Sequence, residues 1–474
     1  MVVDGWLARA AASRPEHTAL QTPAGSWTYA QLSAAAWSGA AQLAATGAVP
    51  GTRIGIALPG GLHFAQALHA CLLLGAIAVP IDLRLSGEEQ ARIVAGCEVT
   101  VDESLGSECN APRALGLDGG HDLDATAVVI HTSGTTSAPK PVELTYGNLL
   151  WSALGSAVAL GVEGGAVGRR PTSWAPLSPS APEERWLCTL PLSHVGGLSI
   201  LVRSTIYATT AVLHERFDTD IVLNALRKQD ITLVSLVATT LARLLDAGLN
   251  HPPALRCALT GGGPVPAALV ARARHAGVPV GLTYGLSETC SQVTTTPVAE
   301  ICVGAGDGDE EEYGEVLRMN AGPPLFCTRV QISSDGEILV QGPTVAPGAV
   351  ERDGWLQTGD LGVLDERGHL LVTGRKADTI ISGGENVAPA EVEAVLEAHP
   401  DVLEAAVLGR PDPRWGEAVT AIVVARPGAL LEGEALRAHC ARGLAPHKVP
   451  KQVSFVREPL PRTRSGKLLR RELR

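Results

Sequence analysis

The sequence predicts an α/β protein: a large N-terminal domain of βα-layered sheets that ends in a small β subdomain, followed by a small α+β C-terminal domain. Three observations lead there. Short apolar runs such as residues 53–58, 76–81 and 257–260 alternate with helical patterns, as parallel strands buried between helices require. From Arg329 the pattern changes to short β segments separated by the turns Ser334-Asp335-Gly336 and Asp365-Glu366-Arg367-Gly368. After Lys376-Ala377-Asp378 it changes again, to a mixture of helix and strand in a unit of domain size. That turn divides residues 1–375 from 376–474.

The elements follow in order. Residues 5–10 open a first helix, and Thr28 with Gln31 is a capping-box pair that opens a second. Residues 53–58 read as a strand, Pro59-Gly60-Gly61 as a turn, 64–74 as a helix and 76–81 as the next strand. Ala127-Val128-Val129-Ile130 is a buried strand, and a helix begins at 145–150. Residues 164–184, with Pro171, Pro176, Pro179 and Pro182, read as a mobile insertion. A strand at 186–190 and a turn at 191–197 come next. Strands at 211–213 and 231–236 are then followed by helices from Thr219 and through Leu245. Cys257-Ala258-Leu259-Thr260 runs into Gly261-Gly262-Gly263-Pro264 and a helix; residues 278–282 run into Thr283-Tyr284-Gly285. Residues 305–313, with four consecutive acids, read as a solvated loop. In the last unit, helices are expected at 389–397 and 434–440, with strands at 402–408 and 420–424.

Composition narrows the function classes. Hydrophobic residues make up 45% and charged residues 18%, as in a well-buried globular protein. A formal net charge of −11 argues against a general nucleic-acid binder, although residues 442–474 carry ten Lys/Arg against Glu458 and Glu472. The nine cysteines form no CxxC pair, so neither a zinc site nor a redox motif is expected. Their odd number and the lack of a signal peptide fit a reducing cytoplasm. The greasiest segment, residues 64–81, carries His69 and Pro80, so no membrane span is expected.

Chemistry concentrates first in His131-Thr132-Ser133-Gly134-Thr135-Thr136-Ser137-Ala138-Pro139-Lys140, which follows the apolar strand. Gly lets the backbone approach an anion, successive N–H and hydroxyl groups donate to phosphate oxygens, and Lys supplies a point charge. The spacing is not that of the common GxxxxGK loop, and a solvated Ser/Thr turn has the same composition.

Five motifs in order carry a resemblance. They are Thr132–Lys140, Tyr284-Gly285-Leu286-Ser287-Glu288, Gly354-Trp355-Leu356-Gln357-Thr358-Gly359-Asp360, Gly374-Arg375-Lys376-Ala377-Asp378 and Arg464-Ser465-Gly466-Lys467. Together they resemble the adenylate-forming superfamily of acyl-CoA synthetases, adenylation domains and luciferases across nearly the whole chain. The resemblance implies a two-step reaction. A carboxylate attacks the α-phosphate of ATP to give an acyl-adenylate and pyrophosphate; the small domain then rotates and a thiol displaces AMP. Such chemistry joins like charges, so positioning and electrostatics should dominate catalysis.

The resemblance also implies roles. Thr132, Ser133, Gly134, Thr135, Thr136 and Lys140 would hold the β- and γ-phosphates, and Glu288 would hold Mg²⁺. Tyr284 would stack on adenine, with Gly262 and Gly263 beside the base and Gly285 and Ser287 in the same nucleotide-binding loop. Asp360 would accept from the ribose hydroxyls with help from Arg375. Lys467 would reach the α-phosphate and the attacking carboxylate, with Glu288 as the other catalytic residue. Taken without the motifs, Asp360 reads as a turn aspartate, Glu288 as an acid at a helix start and Lys467 as a tail charge. Ser137 and Pro141 stand where the superfamily usually has Gly, which predicts a stiffer loop with one backbone donor fewer. Ala377 stands at the hinge, where Asp or Lys is frequent.

The segment from Leu190 to Ser204, Gly261-Gly262-Gly263-Pro264, residues 283–292 and Ile380-Ile381-Ser382-Gly383-Gly384-Glu385-Asn386 look like the o-succinylbenzoate–CoA ligase branch of menaquinone biosynthesis. That branch implies an aromatic keto-diacid, ATP and coenzyme A as small-molecule partners. No nucleic acid or stable membrane insertion is expected, and a homodimer stays open. His194, Arg203, Ser291 and Gln292 are the candidates for recognising the carboxylate that is not activated, Arg203 offering a fork suited to it. Another acyl- or aryl-CoA ligase, a free-standing adenylation enzyme and a non-catalytic ATP-binding module remain as alternatives.

Overall fold

The computed structural model describes residues 1–106, 119–132, 140–162, 183–301, 320–462 and 468–473. The proline-rich insertion up to residue 182, the acidic loop at 305–313, Ser133 to Pro139 and Arg464 to Lys467 lie outside the described residues.

Two sheets dominate the large part of the chain. One has five strands, in which Arg53–Ile56, Ile77–Pro80, Val99–Val101 and Thr126–Thr132 run parallel and Lys140–Thr145 closes one edge antiparallel. The other has eight strands, parallel through its centre and antiparallel only at its two edges. Strand residues alternate between the faces of this second sheet. Trp186, Cys188, Leu233 and Cys257 join one core with the first sheet, while Leu187, Val234 and Ala258 join another. The helices Tyr29–Ala45, Leu62–Leu74, Tyr146–Leu160 and Val195–Tyr207 supply the first core between the sheets; Thr219–Lys228, Ala238–Asp246 and Ala267–His275 cover the outer face. This two-faced burial explains why the strands read as continuous apolar runs.

The local rules hold where they were sharpest. Thr28 accepts from the Gln31 amide and Gln31 returns the bond, as the capping box predicts; Thr145 and Asn148 do the same for the next helix. The turn expected at 191–197 is shorter than read. Val195-Gly196-Gly197 already form the first turn of the helix Val195–Tyr207, with His194 as its N-cap residue. This helix is buried on nearly every side, so it shows no amphipathic stripe to announce its start. The strand expected at 231–236 begins at Leu233.

Pro141 is a second correction. It lies within Lys140–Thr145, opposite His131, on an edge strand where a missing N–H is tolerated. The donor it removes therefore belongs to the strand.

The antiparallel sheet Arg329–Ile332, Glu337–Gln341, Leu356–Leu364 and Leu370–Arg375 forms the expected β subdomain. A 3-10 turn, Lys376–Asp378, leads from it to Ile380–Ser382, which belongs to the last sheet. That sheet, built on the long pair Val402–Asp412 and Gly416–Ala425, packs the helices Pro389–Glu397 and Gly433–Gly443 on one face. Leu468 and Leu473 pack on the other. No described helix is long and apolar enough to cross a membrane. The described cysteines are all free, and burial pushes the thiols of Cys71, Cys188 and Cys257 up to about 12 and those of Cys290 and Cys440 up to about 11.

Candidate active site

In open parallel sheets, ligands bind beyond the carboxyl ends of the strands. Cys257–Thr260 and Val280–Tyr284 are neighbours in the eight-stranded sheet, with Thr260 beside Leu282. The Gly262-Gly263 loop and Tyr284 therefore leave the sheet side by side. Tyr284 is also anchored from the other direction. Its hydroxyl donates to Asp360 Oδ2 at 2.9 Å, and Arg375 Nε meets Asp360 Oδ1 at 2.8 Å. Asp360 and Arg375 face each other on the antiparallel strands Leu356–Leu364 and Leu370–Arg375. Three residues from motifs far apart in sequence thus form one polar cluster between the large sheet and the β subdomain. Burial, with the neighbouring Asp360 charge, raises the Tyr284 phenol above its ordinary value, so it stays a donor.

The loop after Tyr284 carries the next candidates. Gly285 is required there: a Cβ would sit 1.5 Å from the Ser291 carbonyl oxygen. Ser287, Glu288 and Thr289 form a 3-10 turn, and the Glu288 carbonyl accepts from Ala346 at 2.8 Å. The Glu288 carboxylate is half-buried and no described cation pairs with it. It is a hard oxygen donor, the type Mg²⁺ takes beside phosphate oxygens and water, and it fits that ion. No group of three or more metal-ligating side chains occurs among the described residues.

Ser291, at φ +95°, and Gln292 close the same loop. Gln292 is buried; its amide donates to Thr295 Oγ1 at 2.9 Å and its Oε1 has no described partner. Arg203 lies behind them. It is 2% exposed, donates through Nη2 to Ser152 Oγ at 2.8 Å and stands 5.9 Å from the Trp186 ring centre. Ser152 Oγ in turn donates to the Cys290 carbonyl at 2.6 Å, which links Arg203 to the Ser291 loop. No described carboxylate pairs with this guanidinium, and its Nε is unpartnered. Burial lowers its pKa.

His194 sits elsewhere on the same helix, roughly 13 Å from Arg203 along the axis at 1.5 Å per residue. Its Nε2 lies 3.1 Å from Arg84 Nη2 and 3.5 Å from Asp82 Oδ2. At the Ser/Thr loop, Thr132 and Lys140 are opposed in the ladder and the Thr132 hydroxyl donates to the Lys140 carbonyl at 3.3 Å. Ser133, Gly134, Thr135 and Thr136, which lie between them in sequence, are outside the described residues, as is Lys467. Asp82, Arg84, Ser152 and Glu337 were missed by sequence reasoning. Each lies outside the motifs: Asp82 follows the strand read at 76–81, Ser152 the helix start read at 145–150 and Glu337 the turn Ser334-Asp335-Gly336, and none was given a role.

The AMP-binding enzyme model matches residues 7–102 and 107–349, and the AMP-binding enzyme C-terminal domain matches residues 391–467. The chain belongs to the AMP-binding enzyme family. It is 37% identical to a 2-succinylbenzoate–CoA ligase of Bacillus subtilis (strain 168), over 99% of this chain and 97% of the relative. An enzyme of the same name from Bacillus cereus is 36% identical over 99% and 97%. Among solved structures, o-succinylbenzoate CoA synthetase from Bacillus subtilis in complex with the acyl-adenylate intermediate OSB-AMP matches with a TM-score of 0.84 and 35% identity, over 100% of this chain and 98% of the other. The same enzyme with ATP and magnesium ion matches with a TM-score of 0.82, 35% identity and full coverage of both chains. ATP-bound MatB from Rhodopseudomonas palustris matches with a TM-score of 0.82 at 26% identity, over 99% and 98%.

Proposed function

We propose that this protein is an AMP-forming acid–thiol ligase that activates 2-succinylbenzoate. The acid and ATP give 2-succinylbenzoyl-AMP and pyrophosphate; coenzyme A then displaces AMP to give 2-succinylbenzoyl-CoA, a step of menaquinone biosynthesis. The full-length likeness to ligases of that name supports the reaction class. The observation that carries the diacid is Arg203, a buried cation with no described anionic partner beside the Ser291 loop. Buried charges are ordinarily paired, so its field favours a carboxylate brought by the substrate.

In this reading Asp360 accepts from the ribose hydroxyls, oriented by Tyr284 and Arg375, while the Tyr284 ring and Gly262-Gly263 hold the base. Thr132 to Thr136, with Lys140, cradle the β- and γ-phosphates. Bound Mg²⁺ would neutralise phosphate charge, with Glu288 as its protein ligand and Ser287 beside it. Lys467 stabilises charge at the α-phosphate as the carboxylate attacks. Ser291, Gln292 and His194 line the acid. The boundary between large and small domains falls at 375/376, with Ala377 the pivot of a mobile C-terminal unit. The enzyme is proposed to be cytoplasmic, which its free thiols support, and homodimeric, which light scattering would read.

The test is a panel of aromatic and aliphatic mono- and diacids scored by pyrophosphate release and by thioester formation with coenzyme A. Preference for 2-succinylbenzoate is expected, and equal turnover of monoacids would sink the diacid assignment. Lys467→Ala should lose adenylation while still binding ATP; unchanged turnover would remove that lysine from the mechanism.

A further inference from the structure

Glu337 is a buried carboxylate, its side chain 7% exposed, that no motif singles out. It opens the strand Glu337–Gln341 and points its two oxygens at the flanks of the proposed ribose site. One oxygen accepts from the Gly359 amide at 2.8 Å; the other meets Lys376 Nζ at 2.9 Å. Gly359 immediately precedes Asp360, and Lys376 immediately follows Arg375. A single side chain therefore grips the neighbour of each member of the Asp360–Arg375 pair.

The backbone shows why the grip is needed. The ladder between Glu337–Gln341 and Leu356–Leu364 shifts register between Glu337 and Leu339, leaving Thr358, Gly359 and Asp360 opposite Ile338 alone. Gly359 sits at φ +69°, a left-handed conformation that glycine tolerates. In such a bulge the ladder leaves backbone groups without strand partners. The Glu337 side chain supplies the acceptor for Gly359, and the Thr358 hydroxyl for the Asp360 amide at 3.1 Å. Bulges re-aim side chains, and here the re-aimed side chain is Asp360.

We propose that Glu337 is a positioning residue for nucleotide recognition: by holding Gly359 and Lys376 at once, it sets the angle at which Asp360 and Arg375 present themselves to the ribose. This rests on the assignment of those two residues to the ribose. Glu337 touches no substrate. Its Lys376 arm is shared with the exposed Asp335, 2.7 Å from the same ammonium, so the Gly359 arm is the one nothing else replaces. A neutral carbonyl oxygen can accept from Gly359 as a carboxylate does, which makes Glu337→Gln the conservative variant.

The readout is discrimination between ATP and 2′-deoxy-ATP in the pyrophosphate-release assay, since general destabilisation would not change that ratio. Glu337→Ala should raise the ATP KM about tenfold, the scale of one hydrogen bond to a charged group. It should bring the ATP to 2′-deoxy-ATP preference close to parity while leaving the KM for the acid within twofold. Glu337→Gln should restore most of the preference. Where Glu337→Ala does not fold, Glu337→Asp, one methylene short of Gly359, should lower the preference at least threefold. A folded Glu337→Ala, or a Glu337→Asp, with wild-type preference would overturn the inference and leave the proposed function standing. A wild-type enzyme that turns over both nucleotides equally would overturn the ribose assignment and this inference with it.

Discussion

Glu397→Gln tests the electrostatics of the small domain. Glu397 ends the helix Pro389–Glu397, against the strand that carries Ala405. Burial, then the neighbouring Glu393 charge, pushes its carboxyl up to about 7 from an ordinary 4.5; the Ala405 amide and Arg462 offset only part of this. A shift of that size corresponds to ~3 kcal/mol at 1.36 kcal/mol per unit. The sign follows from which state holds the proton. Below the unfolded-state value both states are protonated and nothing is lost. As pH rises toward 7 the folded state keeps a proton that the unfolded state has released, so stability falls, and above 7 the loss is complete. Gln removes the titration and can still accept from Ala405. The variant should therefore match wild type near pH 4 and exceed it by ~2–3 kcal/mol at pH 8. Urea unfolding at each pH across that range, followed by circular dichroism, measures it. A stability difference that does not grow with pH, or a variant less stable than wild type at pH 8, would refute the reasoning.

Two further substitutions probe the large domain. Gly285→Ala would drive a Cβ into the Ser291 carbonyl, a backbone atom that cannot step aside, and should cost more than ~3 kcal/mol; a melting temperature within a degree or two of wild type would contradict the close approach. Arg203→Met replaces a buried guanidinium that has no described carboxylate partner with an apolar chain of similar length. Stability should be unchanged or higher, while the KM for the diacid rises at least tenfold and that for benzoate-type monoacids does not; equal loss for both acids would make Arg203 a packing residue.

Much of this fold was legible because the local signals were strong. Thr28 with Gln31 fixed a helix start, and apolar runs at 53–58 and 257–260 marked buried strands. The β subdomain announced itself through its turns. What failed had physical causes. The helix Val195–Tyr207 is buried all round, so no polar face marked where the preceding turn stopped. Edge strands such as Lys140–Thr145 and Gly25–Thr28 carry mixed residues whose strand character comes from their partners. At the site, Tyr284, Asp360 and Arg375 could be named from motifs, and the structure joins them through hydrogen bonds. Ser152, Asp82 and Glu337 could not, because their significance lies in what they support. Arg203 was legible as a cation but not as a buried one, because its burial and its link through Ser152 to the Ser291 loop come from helix packing that no motif records.

The buried thiols give this molecule a chemical clock. Cys71, Cys188, Cys257 and Cys290 sit in the cores of the large part, whereas Cys440 lies on the buried face of the helix Gly433–Gly443 in the small one. Each is both shielded and held as an unreactive thiol, so an alkylating reagent can reach it only after its own surroundings open. With Cys97, Cys327, Cys109 and Cys302 replaced by serine, the order in which the remaining sulfurs acquire label would tell, by mass alone, which half of the enzyme breathes first and whether a bound nucleotide slows one half or both.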